Sequence, residues 1–122
     1  MTGGLAGRLL AVDVDGTLLD PGGELRPRTI EALTAARDSG AVVTLATGRD
    51  WNAVTHLLEQ LPAVEYALCI NGIEAFRADG HELHAVEIEV EVAHAAVQLV
   101  RDAIPGVAIG VGLAGELVGE PA

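Results

Sequence analysis

Asp13 and Asp15 stand two positions apart at the end of the apolar run Leu9, Leu10, Ala11, Val12, and Gly16 and Thr17 follow them. The run has strand character, and a period of two places both carboxylates on one strand face, projecting together where strand gives way to loop. In open α/β sheets that position, outside the carboxyl end of a strand, is where ligands bind. Two like charges forced together there repel, and a divalent cation is the usual remedy. Two further polar strand endings stand downstream: Thr47, Gly48, Arg49 and Asp50 after an apolar run, and Asn71 and Gly72 after another.

The elements that must hold these groups follow from periodicity. Residues 8–13 read as a fully buried strand, apolar on both faces. Asp20, Pro21, Gly22 and Gly23 are turn chemistry. A helix is expected from about Pro27, with Ile30, Leu33 and Ala36 as its apolar stripe and Gly40 at the cap position. Residues 41–46 read as a second buried strand. Asp50 is placed to cap a helix from about Trp51 that carries Val54, Leu57, Leu58 and Leu61. Residues 66–70 read as a third strand. Strand–helix–strand–helix–strand at this spacing implies two right-handed crossovers and a parallel sheet with all three polar endings at one edge. A hairpin around Ala78, Asp79 and Gly80 follows. An amphipathic helix over 91–104, through Val92, Ala96, Leu99, Val100 and Ala103, and a strand over 107–111 complete the pattern.

Composition narrows the function classes. The chain has 122 residues, enough for one modest core, and 18 acidic residues against 7 basic ones give a net charge of −11. That balance argues against a nucleic-acid or anionic-membrane surface. Every basic residue is arginine, which excludes a Walker-type phosphate loop and a Schiff-base lysine. Cys69 is the single cysteine, no apolar stretch is long enough for a membrane span, and residues 1–7 lack the regions of a signal peptide, so the expectation is a soluble cytoplasmic protein.

Asp13, Val14, Asp15, Gly16, Thr17, Leu18 and Leu19 resemble the first motif of the haloacid dehalogenase-like phosphohydrolase superfamily. Leu45, Ala46, Thr47, Gly48 and Arg49 resemble its second motif as it occurs in the Cof-type sugar-phosphate phosphatases, and Cys69, Ile70, Asn71 and Gly72 the strand ending of that subgroup. The resemblance covers roughly residues 8–90. It implies an α/β fold, a partial Rossmann-like three-layer parallel-sheet core over 1–83, followed over 84–122 by the start of an α/β cap. It implies that Asp13 is the nucleophile that forms an aspartyl-phosphate and Asp15 the general acid and base. Mg2+ would be held by Asp13 and by Asp15 through its main-chain carbonyl. Gly16 would let the loop amides face phosphate, Thr47 and the Gly48 amide would bind phosphoryl oxygens, Arg49 would contact substrate or brace the loop, and Asn71 would line the site. The implied substrate is a small phosphorylated metabolite.

The sequence departs from the family pattern in two places. No lysine supplies the third motif, and no acidic cluster in residues 80–122 supplies the fourth. The expectation is the N-terminal portion of a longer phosphatase, incomplete and inactive alone, with residues 9–14 left as an apolar edge that drives self-association through that strand or the cap helix. The alternatives are a non-catalytic α/β fragment or binding module, or a phosphosugar mutase-like phosphotransferase. Other features read as structural. Gly16 and Thr17 break the spacing of a calcium EF-hand loop. Gly110, Gly112 and Gly115 match a dinucleotide fingerprint but have too little chain after them. His81 and His84 fall on opposite strand faces, and Glu87, Glu89 and Glu91 form a solvated face.

Overall fold

The computed structural model describes residues 4–113 and 116–120. The chain divides into two compact units, Met1–Ala85 and Val86–Ala122. In the first, β1 (Leu9–Val12), α1 (Pro27–Asp38), β2 (Val42–Ala46), α2 (Trp51–Leu58), β3 (Val64–Cys69), β4 (Glu74–Arg77) and β5 (Glu82–Ala85) follow one another. They build a five-stranded sheet in the order β1-β2-β3-β4-β5. The pairing is parallel from β1 to β3 and antiparallel from β3 to β5.

Register explains where the core lies. Leu10, Val12, Val43, Leu45, Ala67, Cys69 and Phe76 fall on one face of the sheet by strand alternation. That face packs against Leu33 of α1 and Val54 and Leu57 of α2, in a single cluster with Val14, Leu18, Leu19 and Leu61. Two right-handed crossovers between strands in sequential order put both helices on the same side. The α/β class and the parallel core therefore hold, while the described residues of this unit supply two of the three expected layers. The opposite face carries Leu9, 67% exposed, with Ala11 and Leu68 also exposed.

Here the expected double burial of residues 8–13 is corrected. β1 spans only four residues at the sheet edge, and its single buried-side contribution is the partly buried Val12. An apolar run reads the same whether or not anything covers it. The expected pair of carboxylates on one strand face is corrected too, because the strand stops at Val12, before either aspartate.

The helix starts behave as read, but α2 ends at Leu58, so the expected stripe residue Leu61 reaches the core from the loop that follows. Proline opens α1, Leu33 is its buried anchor, and Gly40 beyond its end takes φ +98°. The Asp50 side chain accepts a hydrogen bond from Ala53 N at 2.8 Å, capping α2. Trp51 stacks on Phe76 with ring centroids 4.5 Å apart, pinning the first turn of α2 to β4. The 78–80 turn closes the hairpin with Gly80 at φ +93°.

The second unit holds α3 (Val90–Ala103) and an antiparallel hairpin of β6 (Gly110–Leu113) and β7 (Glu116–Gly119). β6 leads into a strand and not a helix; Gly115 lies outside the described residues. No residue of α3 is buried. Ala93 and Val97 are half-buried, whereas Val92 and Leu99 of the expected stripe are 58% and 73% exposed. A unit this short cannot enclose an apolar stripe by itself. No described helix is long and apolar enough to cross a membrane.

Candidate active site

The carboxyl ends of β1, β2 and β3 open onto one shallow depression of about 310 Å³. Asp13, Thr47, Gly48, Asn71 and Gly72 line it, over the apolar Ala46 and Leu68. Each is delivered by a different local device.

After β1 the backbone makes a wide turn. Leu18 N donates to Asp13 O at 3.1 Å and Leu19 N to Val14 O at 3.0 Å. Val14, Leu18 and Leu19 are buried and anchor the turn in the core. Gly16 sits at its apex at φ +75°, with nothing within 4 Å of a Cβ there, so backbone conformation and not space calls for glycine. Asp13 lines the depression, and among the described residues its Oδ2 accepts one long 3.4 Å contact, from Thr17 Oγ1.

After β2, Thr47 is buried and its N–H donates to Leu68 O at 2.9 Å, extending the parallel ladder by one residue. Its Oγ1 accepts from Arg49 N at 3.1 Å, which leaves the hydroxyl proton for another acceptor. A Cβ at Gly48 would lie 3.3 Å from Asn71 Oδ1, so the carboxamide rests against the glycine backbone.

After β3, Ile70, Asn71 and Gly72 take φ +47°, +55° and +93° in succession. Left-handed backbone at a β-branched residue is an outlier, and such positions cost on the order of 1–3 kcal/mol each. The turn returns two hydrogen bonds: Asn71 N donates to Thr47 O at 2.9 Å and Ile70 N to Arg49 O at 3.0 Å.

Asp15 and Arg49 are brought to each other. Arg49 Nε donates to Asp15 Oδ2 at 2.9 Å and NH2 to Oδ1 at 2.6 Å, a two-pronged ion pair between the loops after β1 and β2. Neither residue lines the depression. The guanidinium hydrogen bonds hold the Asp15 carboxyl below its ordinary range and push Arg49 up. The depression thus presents one carboxylate and no cation. Arg77 and Arg101 pair with Asp79 and Glu120.

Among the described residues no group of three or more His, Cys, Asp or Glu side chains is placed to hold a metal. The Asp13 carboxylate is a hard oxygen donor with no strong partner, which suits Mg2+; the Asp15 carboxylate is taken by Arg49. The donor chemistry fits, and what this chain supplies is part of a coordination shell. Sequence reading missed two features here, the Asp15–Arg49 pair and the left-handed Ile70. The Asn71-Gly72 doublet was the one available signal for the second, since both residue types tolerate that region.

The fold and site together define an α/β protein with a polar depression at the carboxyl edge of parallel strands, where ligands bind in open α/β sheets. The chain belongs to the haloacid dehalogenase-like hydrolases, whose family model matches residues 10–111. It is 35% identical over 86 residues to the HMP-PP phosphatase of Shigella flexneri, covering 70% of this chain and 32% of that protein. It is 36% identical over 94 residues to the pyridoxal phosphate phosphatase YbhA of Escherichia coli, covering 77% and 34%. A solved phosphatase of the haloalkanoate enzyme superfamily from Bacteroides thetaiotaomicron superposes with a TM-score of 0.83 at 26% identity, over 98% of this chain and 44% of that one. The chain spans about a third of the length of these curated relatives.

Proposed function

We propose that this chain contributes the nucleophile half of a phosphomonoester hydrolase acting on a small phosphorylated metabolite. The observation that carries the reading is the convergence of Asp13, Thr47, Gly48 and Asn71 on one depression at the carboxyl ends of three parallel strands. The relatives named for HMP-PP and pyridoxal phosphate support a compact phosphorylated substrate.

In this reading an Asp13 oxygen attacks phosphorus and the bond to the leaving oxygen breaks, giving an aspartyl-phosphate. Asp15, released from Arg49 and protonated, gives its proton to the leaving oxygen and then takes one from the water that hydrolyses the intermediate, returning Asp13 and inorganic phosphate. To do so Asp15 must exchange its Arg49 partner for the reacting group. The Thr47 hydroxyl proton and the Gly48 amide bind phosphoryl oxygens. Mg2+, held by Asp13 and the Asp15 carbonyl, would offset the repulsion between the carboxylate and the phosphate. With no cation lining the depression, this chain alone turns over substrate slowly.

Calorimetric titration of the chain with orthovanadate and Mg2+ tests the proposal. Binding is expected, weakened at least tenfold by Asp13→Asn and by Thr47→Ala. Equal binding in both variants overturns the phosphate reading. Brisk Mg2+-dependent release of phosphate from p-nitrophenyl phosphate, lost in Asp13→Asn, would overturn the half-site part and leave the chemistry standing.

A further inference from the structure

We propose that Ile70 and Asn71 are positioning residues that act through their backbones, as a clamp that fixes the Thr47–Gly48 peptide. The inference rests on the phosphate reading of the depression and assigns a part of the chain that the reading leaves unexplained.

Three observations carry it. Two consecutive non-glycine residues hold left-handed backbone, at φ +47° and +55°, a conformation that L side chains disfavour. Both N–H groups of that turn are spent on one neighbouring loop, Asn71 N on Thr47 O and Ile70 N on Arg49 O, at 2.9 and 3.0 Å. The peptide linking Thr47 to Gly48 is planar and trans, so a carbonyl drawn onto Asn71 N turns the Gly48 N–H the opposite way. That N–H has no acceptor among the described residues, although Gly48 lines the depression. Gly48 is exposed, so that N–H is open to solvent and available to an anion at the lip of the depression. The strain of the turn is thus tied to one result, an oriented amide on a residue that lines the same depression as Asp13.

The clamp also gives the Asn71 side chain a limited task. Its Oδ1 lies where a Cβ on Gly48 would be crowded at 3.3 Å, so it rests on the loop it holds. Asparagine is suited to position 71 first because it tolerates the left-handed region, as glycine does.

NMR on the whole chain tests this with scalar couplings across the Asn71 N–Thr47 O and Ile70 N–Arg49 O hydrogen bonds, and with the Gly48 amide shift on adding inorganic phosphate. In the wild type both couplings and the shift are expected. Asn71→Ala should lose all three while the amides of Leu45 and Ala67 keep their positions, and Asn71→Gly should restore what alanine loses. Ile70→Gly should keep the couplings and the shift. Retention of couplings and shift in Asn71→Ala overturns the clamp, as does loss in Asn71→Gly, which would assign the role to the carboxamide. The two glycine variants decide the matter if the alanine variant does not fold. A Gly48 amide that stays fixed while Asp13 and Thr47 respond to phosphate also overturns it. If no residue of the depression responds, the phosphate reading fails, and the couplings alone judge the clamp.

Discussion

At the scale of single residues, Asp15 and Cys69 show how surroundings set protonation. Asp15 is held below the ordinary carboxylate value of 3.8 by the Arg49 hydrogen bonds. A carboxyl whose pKa is lower folded than unfolded stabilises the fold above its unfolded pKa, and that contribution is lost as the pH falls through the lowered folded value. Arg49→Met removes the difference. Wild type and variant should therefore separate in urea midpoint at neutral pH, by a small margin because the pair is exposed, and converge as the pH drops below 3.8. A gap that persists at the lowest pH would mean that Arg49 acts by packing instead. Cys69 lies on the helix-covered face, and burial, with Glu74 and Asp50 nearby, pushes its thiol up to about 11. At pH 8 the thiolate fraction is then about one in a thousand, roughly a hundredfold below an ordinary cysteine thiol. Alkylation by iodoacetamide should be slower by at least that factor in the native chain, since Cys69 is also shielded from reagent, and normal in urea. Native reaction at the free-thiol rate would contradict the burial.

At the scale of elements, glycines at left-handed positions separate conformational need from spatial need. Gly40, after α1, has φ +98° and would place a Cβ 3.0 Å from the backbone N and Cα of Ala6. Gly16 has φ +75° and open space around it. Gly40→Ala should cost about 1–3 kcal/mol in urea unfolding, and Gly16→Ala about 1 kcal/mol, from strain alone. Equal losses would show that Ala6 gives way. The same contrast explains what the sequence made legible. Gly40, Pro27 and Asp50 announce helix ends because their residue types are chosen by backbone geometry or missing N–H groups. Leu33, Val54 and Leu57 announce a buried face by spacing. Thr47 and Asn71 were readable as polar strand endings that meet at one edge, and both line the depression there. The Asp15–Arg49 pair joins positions 34 apart on exposed side chains, and no periodicity encodes it. Ile70 is of a type that avoids the conformation it holds, so only the adjoining Asn71-Gly72 hinted at the turn.

At the scale of the molecule, the described sheet ends on a short apolar strand. β1 is the terminal strand of the order β1-β2-β3-β4-β5, and its four residues contain no charge, lysine or proline. Leu9 is 67% exposed, and among the described residues no strand pairs with the outer side of β1, so its outward N–H and C=O groups sit next to apolar surface. The −11 net charge opposes association, and its repulsion weakens as salt shortens the screening length. We predict that the chain self-associates through β1, and that light scattering shows the mean mass rising with protein and salt concentration. Leu9→Lys places a charge on the edge and should return the chain to a monomer. Val92→Asp, on the exposed face of α3, should leave the association in place. The reverse pattern would move the contact from the strand to the helix. A stable monomer at millimolar concentration in high salt would show that the short edge is too small to pair, despite its apolar character.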